Sequence, residues 1–267
     1  MIQHGDESTM CEPQNHDLKT IFISLGAAGK RAKARIQSVF DGLMREVESI
    51  HSSRHASTPE DQSQPMLTTA GGKSFLQTPS RYLRDADLVY LCGTSEGDDF
   101  PNARRAILQA MGKSFLFTFP VGPGPAIQPV SDQECVIHIQ GTNPMEAIAC
   151  FVRDFTFWNM FPHTISCDWA DIKTCLGGKE KTLAVYCSHS HDYEKGFMEF
   201  LTQHRFELAR SSSVLLHCGW ERPDVPWGEL FWPMEMLEGY VRKGVPMVYL
   251  ESTKTGLDTA FRAFLIL

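Results

Sequence analysis

The sequence predicts an α/β protein made of two units on either side of one long buried helix, and three observations carry that reading. The first is the helix itself. Over 143–162 the apolar residues Ile148, Phe151, Val152, Phe155, Trp158 and Phe161 recur at intervals of three and four, the spacing that lines one helical face. Pro144 suits its first turn and Pro162 marks its end. The second is the opening of the chain, where an apolar strand at 18–25 meets the turn Gly26, Ala27, Ala28, Gly29. A helix then follows with Ala32, Ile36, Val39, Phe40, Leu43 and Val47 on one side. The third is the alternation of short apolar strands with helical stretches both before and after the long helix, the pattern of α/β folds.

Taken in order, residues 1–17 are polar and read as a loose tail. The unit at 18–142 begins with the strand, glycine turn and helix just described, an arrangement in which backbone amides at a helix start can hold phosphate. Two glycines, Gly26 and Gly29, with Lys30 and Arg31 after them, fit that role and fit an ordinary tight βα turn equally well. From 49 to about 79 the composition turns to Ser, His, Gln, Thr, Pro and Gly, the signature of a long loop, with a short strand near 73–77. Order resumes with a strand at 86–92, a loop from Gly93 through Gly97 to Asp99, a helix at 101–111 and a strand at 114–119. A rigid proline-rich link at 120–125 and a strand at 134–140 lead into the central helix at 143–162.

The unit at 163–267 starts with a loop bearing Asp168 and Asp171, two carboxylates three residues apart. Asp168 is placed to cap the next helix and Asp171 to lie in its first turn. Strands are expected at 182–187, 212–218, 245–250 and 260–267, and helices at 171–176, 193–203 and 227–242.

Composition narrows the partners. The 267 residues carry 42% hydrophobic and 21% charged residues and a net charge of −7. That gives no polybasic surface, so nucleic acid is not expected as a partner. No apolar run is long enough for a membrane span, and the start lacks the basic-then-apolar layout of a signal peptide, so a cytoplasmic protein is expected. The eight cysteines are scattered without a Cys-x-x-Cys pair, which fits buried reduced thiols.

Three polar clusters invite chemical readings. Glu96, Asp98 and Asp99 can cap the following helix, the favoured reading for Asp98 and Asp99, or offer oxygen ligands to a divalent cation. His189, His191 and Asp192 have metal-like spacing, although a solvated loop is the simpler account. Trp220 and Trp227, flanked by charges and prolines, are candidates for an exposed contact surface, whereas Trp232 is expected in the core.

The loop at 162–174 resembles the FtsZ family pattern, in which a central helix ends at proline and leads into a segment with two aspartates around an aromatic and an alanine. The order of elements from 86 to 119 and from 182 to 267 is similar to that of the same family. The resemblance spans roughly Leu18 to Leu267. It implies a parallel-sheet, Rossmann-like N-terminal domain, a central helix and a smaller mixed-sheet α/β C-terminal domain, an FtsZ/tubulin-like architecture. It further implies that Asp168 and Asp171 act in trans, positioning the attacking water at a neighbour's nucleotide, and that Gly26, Gly29, Gly93 and Gly97 fall on the nucleotide-binding turns.

The family's phosphate loop consists of glycines and threonines, and here it coincides with 93–99. Ionised Glu96, Asp98 and Asp99 donate no hydrogen bond. A like-charge contact with phosphate at about 4 Å costs roughly 4 kcal/mol near a protein surface. No cofactor is therefore expected. The function expected is that of an FtsZ/tubulin-like protein with weak or absent GTPase activity, acting as a polymer modulator or interaction protein on an FtsZ-type filament or by self-association. The alternative is a divergent self-assembling GTPase using GTP and magnesium across the subunit contact. A structural component of some other assembly is a third reading. Because the sequence stops at the last strand, where the family continues to a peptide that binds membrane anchors, no membrane tether of its own is expected.

Overall fold

The computed structural model describes residues 20–38, 80–94, 99–122, 127–140, 143–157, 169–176, 180–188, 193–220, 226–253 and 261–267. The strands are β1 (Thr20–Leu25), β2 (Leu88–Thr94), β3 (Phe115–Val121), β4 (Glu134–Gln140), β5 (Glu180–Ser188), β6 (Ser213–Trp220), β7 (Met247–Thr253) and β8 (Phe261–Ile266). The helices before β5 are α1 (26–38), α2 (Ser80–Asp85), α3 (Asp99–Ala110), α4 (Pro144–Phe157) and α5 (Trp169–Leu176). Those after it are α6 (Tyr193–Gln203), α7 (Arg205–Arg210) and α8 (Trp227–Glu238).

The strands form a single sheet in the order β1-β2-β3-β4-β5-β8-β6-β7. All neighbours are parallel except β8, which runs antiparallel to both β5 and β6. This is the α/β architecture expected, parallel in its first half and mixed in its second. The two halves are hydrogen-bonded through the β4–β5 pair, with Ile139 opposite Leu183.

Helices cover both faces, which is why β1 and most of β2 are buried without alternation. On one face lie Ala32 and Ile36 of α1, Ile148, Phe151 and Phe155 of α4, and Ile172 and Leu176 of α5. On the other, Leu83 of α2 with Phe100, Ala103 and Ile107 of α3 cover the first half. Phe197, Phe200, Leu208 and Leu237, from α6, α7 and α8, cover the second.

The centre of the molecule is the apolar stripe of α4. Phe151 meets Phe117 of β3 at 5.1 Å between ring centroids, Phe155 of its own helix at 4.2 Å and Phe264 of β8 at 5.8 Å. A fully buried phenylalanine is worth about 1.5–3 kcal/mol, and each aromatic pair adds about 0.5–1.5 kcal/mol. One helix thereby packs against both halves of the sheet.

Three local differences from the sequence expectation have physical reasons. The short helix α2 precedes β2 at 80–85, a stretch to which the sequence assigned no element, tied down by Ser114 Oγ donating to the carbonyls of Leu83 and Ala86. Helix α7 continues from α6 after a bend at His204, whose amide still donates to the Phe200 carbonyl. Helix α8 ends at Glu238 and not at 242: Gly239 closes it, and a turn follows to Gly244, whose φ of 83° favours glycine. The strand expected near 73–77 lies outside the described residues.

The β3–β4 connection carries no helix among the described residues and is held by one buried carboxylate instead. Glu134 accepts from Arg104 Nε at 2.5 Å and Nη2 at 2.6 Å, from Thr118 Oγ1 at 2.8 Å and from the amide of Val130 at 3.1 Å. Arg104 also donates to the carbonyl of Gln128. Removing one partner of a buried pair leaves the other charge uncompensated. Glu134→Ala is therefore expected to destabilise the fold by about 3–5 kcal/mol, read as a lower denaturant midpoint. A loss under about 1 kcal/mol, the level of a surface pair, would contradict this account.

Candidate functional site

Strands β1 and β2 are parallel neighbours, yet β1 runs into α1 on one face of the sheet and β2 leads to α3 on the other. Divergent connections from adjacent strands mark a candidate crevice at their carboxyl ends, the usual ligand position in open α/β sheets. Gly26 sits at its mouth, exposed, with φ of 64°, a left-handed conformation that glycine takes without cost.

The other glycines are used differently. A Cβ on Gly29 would lie 2.5 Å from the Cys92 carbonyl oxygen and 3.0 Å from the Ser24 backbone, so Gly29 lets α1 press against β1 and β2. A Cβ on Gly93 would lie 2.8 Å from Leu25 Cβ and 2.9 Å from the Phe100 ring. Gly93 is buried, and its missing side chain is spent on packing, not on opening the backbone to a ligand. Gly97 lies outside the described residues, as do Glu96 and Asp98, and Asp99 begins α3. Lys30 and Arg31 are exposed just past the first turn of α1. Ser24, buried at the end of β1, has a hydroxyl without a hydrogen-bond partner among the described residues.

Asp171 lies away from these glycines, under the second half of the sheet. Asp171 is exposed in the first turn of α5, and Asp168 lies outside the described residues. Helix α5 is seated by Ile172, Cys175 and Leu176, all buried, and by Ser213 Oγ donating to the Cys175 carbonyl at 2.9 Å. It packs over β6 and β7. From β2 to β6 the sheet order counts five steps, or roughly 24 Å at about 4.8 Å per step. Asp171 and the crevice of the same chain therefore do not form one site.

A charged cluster that sequence reasoning missed lies between α4 and the C-terminal strands. Asp154 of α4 receives Arg262 Nη1 of β8 on one carboxylate oxygen at 2.6 Å. Its other oxygen faces His217 Nδ1 of β6 at 3.2 Å. All three side chains are buried. The signal was present in the sequence as polar residues at core positions, with Asp154 between Val152 and Phe155 and Arg262 between Phe261 and Ala263. Burial alone would push the Asp154 carboxyl upward, but Arg262, then His217 and Arg153, outweigh it and hold it well below the usual carboxylate range.

The other polar centre of this half is inert. Cys218 contacts the Tyr193 hydroxyl at 2.9 Å, and burial pushes its thiol up to about 12, which removes thiolate chemistry at neutral pH. Trp220, a candidate for an exposed surface, is instead half-buried against Tyr193 at 5.0 Å and donates to the Tyr249 hydroxyl at 3.3 Å. Trp227's side chain and the triad His189, His191 and Asp192 lie outside what is described. Among the described residues no group of three metal-ligating side chains occurs, and no helix is long and apolar enough to cross a membrane.

No protein-family model and no curated protein sequence matches the chain. Its fold, however, matches solved structures of FtsZ and CetZ. An empty FtsZ dimer from M. jannaschii aligns with a TM-score of 0.60 at 11% identity, covering 95% of this chain and 88% of that one. CetZ from Methanosaeta thermophila aligns with a TM-score of 0.54 at 11% identity over 94% and 86% of the two chains. CetZ2 from Haloferax volcanii, solved as a GTPγS-bound protofilament, aligns with a TM-score of 0.51 at 13% identity over 93% and 92%. The chain has the FtsZ/tubulin fold.

Two of the four candidate glycines, Gly29 and Gly93, make close packing contacts.

Acid titration checks the buried cluster. A carboxyl whose folded pKa is depressed contributes stability that is complete above its unfolded pKa, about 3.9, and is lost as pH falls toward the folded value. Wild-type stability is thus expected to be flat in this contribution from neutral pH to about 4 and to fall below it. Asp154→Asn should lack that acid-dependent part in urea unfolding measured across the same range. Parallel acid profiles for the two proteins would contradict the assignment.

Proposed function

We propose that the protein is an FtsZ/tubulin-like polymer modulator with weak or absent GTPase activity, working through the acidic segment after α4. The observation that carries this is the asymmetry of the two ends. The acidic end retains Asp171 exposed on a firmly seated helix, and the crevice end carries glycines spent on packing beside an acidic connection. In a split site, one subunit offers the pocket and the next offers the carboxylates that orient the attacking water. A chain with a sound second part and an unsound first part can dock its Asp168 and Asp171 onto the nucleotide end of an FtsZ-type filament while offering that filament no nucleotide end in return.

The separation of roughly 24 Å between α5 and the crevice across the sheet supports action in trans. A filament receiving such a subunit would be capped, and its hydrolysis rate would change at the contact. No resident cofactor belongs to this reading.

A second reading is favoured by the Ser24 hydroxyl, without a hydrogen-bond partner among the described residues, and by the exposed Lys30 and Arg31 beside Gly26. In it the chain binds GTP with magnesium at the crevice, self-assembles and hydrolyses GTP across the contact with Asp168 and Asp171.

Mixing the protein with an FtsZ-type polymer and following phosphate release separates docking from indifference. The wild-type chain is expected to change the partner's rate several-fold at equimolar ratio. Asp171→Ala should fold normally, because the residue is exposed, and return the rate toward the partner's own. Equal effects of wild type and variant would contradict a role for the acidic segment.

A further inference from the structure

We propose that Asp154, His217 and Arg262 are positioning residues that pin the end of α4 to one rung of the sheet and, through β6, fix where α5 presents Asp171. His217 and Arg262 are register partners on the antiparallel strands β6 and β8. Asp154 divides its two oxygens between them, Oδ1 to Arg262 at 2.6 Å and Oδ2 to His217 at 3.2 Å. Apolar packing of α4 on the sheet is non-directional and tolerates sliding, whereas this carboxylate reaches the Arg262 hydrogen bond and the His217 ion-pair contact together at one position only. A buried ion pair contributes little net stability after desolvation, and setting a unique register is its best-attested use.

The same strand seats the next helix. Ser213 lies four residues before His217 on β6, on the same face, and its hydroxyl donates to the Cys175 carbonyl in the last turn of α5. The end of α4 and the end of α5 are thus both tied to β6, at points roughly 13 Å apart. Strand β6 acts as a ruler between the central helix and the helix that carries Asp171. The far end of α4 is held differently, by the exposed Arg35–Glu146 pair with 2.5 and 2.9 Å contacts. Breaking that pair serves as a control on the same helix.

This inference rests on the proposed role of Asp171, but its test is independent of any partner filament. Amide exchange followed by mass spectrometry on the full chain reads local opening directly. Asp154→Asn is expected to speed exchange at 169–176 by about ten-fold or more, with β2 and β3 unchanged within about two-fold. Glu146→Gln is expected to leave 169–176 unchanged.

The double variant D154L/R262M removes the charges while filling similar volume, so its thermal midpoint is expected within a few degrees of wild type. Its α5 amides are nevertheless expected to stay fast, a result that a merely stabilising role would not produce. Should Asp154→Asn fail to fold, this double variant alone decides. Exchange that rises evenly along the chain, or α5 amides that recover together with the midpoint, would overturn the proposal. An inactive Asp171→Ala comparison in the filament assay would count against the proposed function and leave these exchange results standing.

Discussion

The fold depends on how α4 is packed. Phe151 and Phe155 touch Phe117 on one side and Phe264 on the other, so a single helix supplies a shared core to the first and second halves of the sheet. Helix α1 packs beside it and α5 follows it on the same face, and the sheet itself is continuous through β4 and β5. Loss of the aromatic stripe would therefore expose both halves at once, and each side chain removed would forfeit packing as well as transfer free energy.

Set on that helix, the two candidate ends are built differently. At the crevice, close packing has absorbed the glycines: Gly29 admits the Cys92 carbonyl and Gly93 admits Leu25 and Phe100. Glycine at a βα turn can serve a ligand or serve the contact between helix and strand, and here sterics assign two of them to the contact. At the other end, charge has been invested in geometry. The buried Asp154, Arg262 and His217 cluster ties α4 to β6 and β8, and α5 is tied to the same β6 through Ser213.

Much of this was legible in the sequence. The period of three and four in α4, the unbroken apolar runs of β1 and β2 and the bounds of β4 and α6 follow from patterning, because each buries its apolar residues against a neighbour in the expected way. The place of Asp171 in the first turn of α5 was equally plain from the helix start that contains it. Less legible were features decided by tertiary partners. The steric use of Gly29 and Gly93 depends on atoms from Ser24, Cys92, Leu25 and Phe100, and no local pattern announces it. The Asp154 cluster joins residues more than a hundred positions apart; the sequence shows only charged residues at positions the periodicity marks as buried. Trp220 misled for the same reason, since its flanking charges suggested exposure while Tyr193 and Tyr249 provide it with a partly buried seat.

The central claim is that an FtsZ/tubulin fold here has given up its nucleotide while retaining the acidic segment. Titration of the purified chain with a fluorescent GTP analogue, with and without magnesium, tests that most directly. No saturable binding up to about millimolar analogue is the predicted result, corresponding to less than about 4 kcal/mol of affinity. Magnesium-dependent binding in the micromolar range would contradict it and establish the crevice as a working nucleotide site.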